Sequence, residues 1–198
     1  MPNAVAKLQI LSNTIDQLEQ AGYIYIGMDH FAKPSDELVV AQKEGRLQRN
    51  FQGYSTQAEC NMLAFGVTAI GKVDDCYVQS VRTLDEYCSL LDQHRLPTLR
   101  GMRLSEDDVV RRDLIGRLMC HFEVDASQFA QKYEIDFDAY FANEASELNK
   151  LEDCGLIEWH GDTLTVPISG RLLVRRVVMV FDRHLRESLS HASYSKIV

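Results

Sequence analysis

No stretch of this 198-residue chain strings together the roughly 18–20 apolar residues that a membrane-spanning helix needs. The first residues also lack the basic-then-apolar pattern of a secretory signal, so a cytoplasmic protein with no membrane partner is expected. An excess of positive charge is missing too. The formal net charge is −8, and a surface that grips nucleic-acid phosphates must be basic, so no nucleic-acid partner is expected. Closely spaced cysteines are absent: Cys60, Cys76, Cys88, Cys120 and Cys154 form no CxxC pair. That excludes a zinc knuckle and a disulfide framework, and predicts five free thiols in a reducing compartment. There is no internal repeat, low-complexity tract, phosphate loop, nucleophile–base pair or metal constellation. His94, His121, His160, His184 and His191 are scattered, and none reads as a haem or metal ligand.

What is there is ordinary soluble-protein composition, 45% hydrophobic and 25% charged, in a chain long enough to bury a real core. Val5, Leu8, Leu11, Ile15 and Leu18 fall at helical spacing over 4–20, and Gly22 can end that helix in a left-handed conformation. Tyr23–Asp29 is a β-branched and aromatic run of strand length. Helix, glycine, strand is the αβ step of an α/β unit, here read as the end of a barrel or parallel sheet. Asp29 and His30 lie just past the carboxyl end of that strand, the edge where α/β proteins place ligands. Position alone favours a histidine that orders the loop by a local hydrogen bond over one that touches a ligand. Pro34 and Ser35 then open a short helix ending at Gly45.

The organising stretch runs from Arg49 to Ile70. RNFQGYSTQ is polar, holds one glycine and two aromatics, and reads as an ordered loop of the kind that carries binding groups. Met62–Ile70 is apolar and interrupted by Gly66, which predicts a buried strand. A hairpin turning at Asp74-Asp75 follows, then a helix opened by the capping-box pair Thr83 and Glu86. His94–Arg103, with a proline, a glycine and three arginines, reads as a linker. It divides the chain into residues 1–100 and 101–198.

Beyond it the pattern is mainly helical. Ser105 and Asp108 cap a first helix, a second spans about Ala126–Tyr133, and Asp136 caps a third that runs to Gly155. Leu156–Val166 alternates around His160-Gly161-Asp162 as a β-hairpin, and Ser169–Leu185 reads as one buried helix. Helices followed by a hairpin suggest a winged-helix-like domain, although acidic residues outnumber basic ones here, so the shape would not imply DNA binding. The expected class is α+β: the end of a partial α/β barrel with a strand-loop region, then a helical domain with a hairpin.

RNFQGYSTQ and AFGVTAI, with the upstream IGMDHFAKP and downstream GRLLVRRVVMVFDRHL, resemble the C-terminal part of bacterial oxygen-independent coproporphyrinogen III oxidases. The resemblance covers essentially the whole chain and not the family's N-terminal half, so the chain is expected to be a fragment. It implies radical S-adenosylmethionine chemistry in haem synthesis. A reduced 4Fe-4S cluster cleaves S-adenosylmethionine, the resulting radical takes a hydrogen from a substrate propionate, and carbon dioxide leaves. Two such decarboxylations convert coproporphyrinogen III to protoporphyrinogen IX. The family's CxxxCxxC cluster motif is absent here, so cluster binding and catalysis would need the N-terminal barrel region as partner. No catalytic residue is expected in this fragment.

The same resemblance implies a second S-adenosylmethionine held at Phe51, Gln52 and Ile70. Gln52 offers an amide donor and acceptor, Phe51 a ring face for a sulfonium or adenine, and Ile70 its backbone and an apolar wall. Read without the family, Phe51 would be core packing and Gln52 a loop-ordering side chain. Ala64 stands where the family commonly has glycine, and Thr68 where serine is usual. Arg46, Arg49, Arg100 and Arg103 are candidates for the substrate carboxylates, against ordinary solvated arginines. The alternative function is a standalone, non-catalytic module that binds porphyrin or S-adenosylmethionine or docks a partner.

Overall fold

The computed structural model describes residues 3–57 and 60–188. His191, and Ala58 and Glu59 within the central stretch, lie outside the described residues, as does the side chain of Leu8. The chain divides into two compact units, 1–56 with 113–198 and 57–112. The second is thus inserted into the first, and the divide falls inside a helix.

The first unit starts with α1 (Ala4–Gln20), whose Asn3 cap accepts a hydrogen bond from the Ala6 amide at 2.9 Å. Leu11, Ile15 and Leu18 form its half-buried stripe, and Gly22 takes the expected positive φ of 84°. Strand β1 (Ile24–Gly27) follows as predicted, but its neighbour is the antiparallel β2 (His30–Ala32), read from sequence as loop. Every ladder among the described residues is antiparallel. Asp36 caps α2 (Glu37–Lys43), with Val39 and Ala41 buried. Ile26, Ala32, Val39, Ala41, Leu47 and Cys120 close one core. Gln42 stitches it by donating at 2.8 Å to both Ile26 O and Cys120 O. The segment expected as a loop is a hairpin, β3 (Gln48–Asn50) and β4 (Gly53–Ser55). The loop reading fails because Asn50 and Gly53 supply the turn chemistry for a two-residue connection.

The second unit holds a three-stranded sheet, β5 (Ile70–Val73), β6 (Cys76–Ser80) and, after α3 (Leu84–Asp92), β7 (Thr98–Arg103). The hairpin at Asp74-Asp75 stands as expected. The buried strand over Met62–Ile70 does not: Met62 makes one isolated bridge to Lys72, and Leu63 and Phe65 are 71% and 85% exposed. Gly66 at φ 102° and Thr68 at φ 60° turn the backbone twice within three residues, which no ladder tolerates. Thr83 opens α3 without a side-chain capping bond. Thr98–Arg103, read as part of a linker, pairs with β6 instead.

Helix α4 (Glu106–His121) carries a true capping box. Ser105 Oγ accepts from the Asp108 amide at 3.2 Å, and Asp108 Oδ2 accepts from the Ser105 amide at 2.9 Å. From Asp113 onward the helix belongs to the first unit, where β8 (Glu123–Asp125) and α5 (Ala126–Tyr133) come next. The single helix expected from Asp136 to Gly155 is two, α6 (Phe137–Tyr140) and α7 (Ala145–Asp153). Between them Glu144, fully buried, meets Arg186 at 2.6 Å. Strands β9 (Glu158–His160) and β10 (Thr163–Thr165) form the predicted hairpin, with β8 against β10 as a third strand.

The final buried helix is likewise broken, into α8 (Ile168–Arg171), α9 (Val174–Val178), a 3₁₀ turn at Met179–Phe181 and α10 (Arg183–Ser188). Pro167 precedes the first piece. Gly170 sits where a Cβ would come within 2.6 Å of Leu156 O, and Asp182 turns extended before the last piece. These constraints bend a run whose apolarity alone suggested one rod. Phe129, Phe137, Phe141 and Phe181 connect edge-on or tilted through the centre of this core, at centroid spacings of 4.8–6.1 Å.

Candidate functional site

Two antiparallel strands closed by two residues put those residues at an exposed tip, and here they are Phe51 and Gln52. The Gln52 amide donates to Asn50 Oδ1 at 2.8 Å, which fixes the turn from inside. Both side chains are exposed, the Phe51 ring by 58%. A ring face and an amide on neighbouring exposed turn residues are groups able to meet a cation or a planar ring. Core packing therefore does not account for Phe51.

What holds the hairpin is Tyr54, two residues past Gln52. Its hydroxyl donates to Met119 O on α4 at 3.2 Å, and burial drives the phenol well above its ordinary pKa. The Arg49 guanidinium lies 5.4 Å from its ring centre, and the His30 ring meets it edge-on at 5.1 Å. Gly27, at φ 147°, lets β1 pass against the phenol, since a Cβ there would overlap the Tyr54 hydroxyl. His30 itself bonds locally, Nδ1 to Asp29 Oδ1 at 2.7 Å. The Tyr54 anchor was not anticipated from sequence, where the residue appeared only as one of two aromatics in a polar stretch.

Ile70 belongs to the second unit. It begins β5, half-buried, opposite Gln79 on β6. Just before it, Thr68 takes its positive φ while its amide donates to Val81 O at 2.8 Å and its carbonyl accepts from Gln79 Nε2 at 3.3 Å. Phe51 and Gln52 thus share one tip, and Ile70 opens a separate sheet. Of the arginines, Arg46 pairs with Glu44 and Arg100 donates to Gln79 Oε1 at 2.8 Å. Arg49 packs on Tyr54, and Arg103 stands opposite Cys76.

Cys60, Cys88 and Cys154 are exposed, Cys76 half-buried, and Cys120 buried with its thiol pushed up to about 12 by burial. Among the described residues no group of His, Cys, Asp or Glu is arranged to hold a metal ion, and no helix is long and apolar enough to cross a membrane.

Residues 104–173 match the family described as the HemN C-terminal domain. The whole chain aligns with curated proteins named oxygen-independent coproporphyrinogen III oxidase. Identity is 44% with that of Synechocystis sp. and 41% with that of Escherichia coli K12, in each case over 43% of the relative's length. The chain therefore spans less than half the length of those relatives. A solved structure described as coproporphyrinogen III oxidase (HemN) from Escherichia coli, a radical SAM enzyme, superposes at TM-score 0.88 and 44% identity. The match covers 93% of this chain and 42% of that one. By sequence and by fold, the chain matches the C-terminal portion of the oxygen-independent coproporphyrinogen III oxidases.

Proposed function

We propose that this chain serves the oxidative decarboxylation of coproporphyrinogen III to protoporphyrinogen IX in porphyrin synthesis, as the part of a radical S-adenosylmethionine enzyme that completes its second cofactor site. Residues 1–100 would be the last α/β unit of the barrel with its strand extension. Residues 101–198 would be a winged-helix-like domain that covers the substrate cleft and keeps water out. The element order α4, β8, α5, α6, α7, β9, β10 supports the winged-helix reading. S-adenosylmethionine, when bound, supplies a sulfonium cation and a planar adenine to be held.

The observation that carries this reading is the exposed Phe51–Gln52 tip on an anchored hairpin. Gln52 would hydrogen-bond the carboxylate, amine or ribose of the cofactor, Phe51 would offer its ring face, and Ile70 its backbone groups and side-chain wall. A 4Fe-4S cluster would take its ligands from an N-terminal barrel region. Calorimetric titration of the chain with S-adenosylmethionine tests the site. Saturable binding is expected, weakened about 10–100-fold in Gln52→Ala, the loss of a hydrogen bond to a charged group. Equal binding by both proteins removes Gln52 from the site.

A further inference from the structure

We propose that Asp29 and His30 act as a positioning pair that sets the angle of the Phe51–Gln52 tip toward its ligand; this rests on the site reading above. The β1–β2 ladder slips by one residue between Tyr25 and Gly27, so His30 pairs with Gly27 across a tight connection. Met28 absorbs the turn at φ 58°. A bulge of this kind re-aims the side chain beside it, and here that side chain is His30. Its ring meets Tyr54 edge-on at 5.1 Å, and its Nε2 lies 3.4 Å from where a Gly53 Cβ would be. The imidazole therefore meets the Tyr54 ring and stands beside Gly53, the two residues that leave the tip.

An imidazole can rotate about its last side-chain bond, and the 2.7 Å contact with Asp29 Oδ1 fixes which edge faces the hairpin. From there the path to the tip is short and stiff. Tyr54 is pinned to Met119 O, Gly53 sits at φ 132°, and the Gln52 amide is tied to Asn50. A turned His30 ring must move Gly53 or Tyr54, and either displaces Gln52. Asp29 is 84% exposed, and an exposed pair contributes little to stability. Its effect belongs in ligand binding.

Titrate the 198-residue chain with S-adenosylmethionine as the parent, Asp29→Ala and Asp29→Asn, with thermal midpoints alongside. Asparagine keeps an oxygen that can accept from Nδ1; alanine does not. Asp29→Ala should bind about 5–10-fold more weakly, the loss of one orienting hydrogen bond. Asp29→Asn should stay within about twofold, with all three midpoints alike. Unchanged binding in Asp29→Ala overturns the proposal, and so does equal weakening in both variants, which would make Asp29 act through its charge. If the parent binds no S-adenosylmethionine, the site reading fails, and amide NMR shifts decide the positioning by themselves. Asp29→Ala should then move the Gln52 and Gly53 amides of the ligand-free chain while Asp29→Asn leaves them in place; amides unmoved by Asp29→Ala overturn it.

Discussion

Replacing Gly27 with alanine should dislodge the anchor of the hairpin. The new Cβ would overlap the Tyr54 hydroxyl and lie 3.2 Å from Tyr54 Cζ and 3.4 Å from Phe122 Cζ. Two costs combine. Holding an L-residue at φ 147° costs about 1–3 kcal/mol, and overfilling a packed site costs about 1–3 kcal/mol. With partial relaxation the net loss should be about 3 kcal/mol, which for a chain of this size lowers the melting midpoint by about 6–12 °C. Thermal unfolding followed by circular dichroism reads it. A second substitution makes the cause explicit. Tyr54→Phe gives up the bond to Met119 O, about 1 kcal/mol, but removes the atom that Cβ strikes first. The double variant should therefore be about 1 kcal/mol more stable than the sum of the single losses. A Gly27→Ala protein melting within about 1 °C of the parent would refute the reasoning, and strict additivity would refute the assigned contact.

Arg186→Ala takes the guanidinium from the fully buried Glu144 carboxylate and should cost about 3 kcal/mol by thermal unfolding, since breaking a buried pair strands a charge. Asp113 is pushed up by burial but held below its ordinary 3.8 on balance by Lys132, Arg117 and Tyr133. A carboxyl lowered in the folded state contributes stability above its unfolded pKa and loses it as pH falls through the folded value. Asp113→Asn should thus be less stable at neutral pH and show a flatter decline below about pH 4, measured by urea midpoints across pH. Thiol titration of the native chain should modify Cys60, Cys88 and Cys154 promptly and spare Cys120, whose thiol is buried and raised to about 12. Ser105→Ala should cost about 1 kcal/mol through the α4 cap, whereas Thr83→Ala, with no capping bond to lose, should cost less.

Local signals were legible where one residue decides the geometry. Gly22 ends α1, Asp136 caps α6 at the predicted residue, and Asp74-Asp75 turns the β5–β6 hairpin. Misreadings came where tertiary contacts override an apolar pattern. Met62–Ile70 has the composition of a buried strand, but Gly66 and Thr68 adopt left-handed conformations that composition does not reveal. The C-terminal run reads as one rod because its period is apolar all round, yet the backbone leaves the helix at Leu173 and again at Asp182. At the site, the resemblance named Phe51, Gln52 and Ile70. What seats the tip is Tyr54 against Gly27, His30 and Met119, contacts up to 65 residues apart in sequence that no local spacing encodes.

We propose that Phe51, Gln52 and Ile70 serve one S-adenosylmethionine. Amide NMR of the chain titrated with S-adenosylmethionine tests it most directly. The signals of Asn50–Tyr54 and of Ile70 should shift together along one saturating curve, and Gln52→Ala should weaken both movements equally. Shifts at the hairpin with Ile70 unmoved at saturation, or two curves of different midpoint, would contradict it.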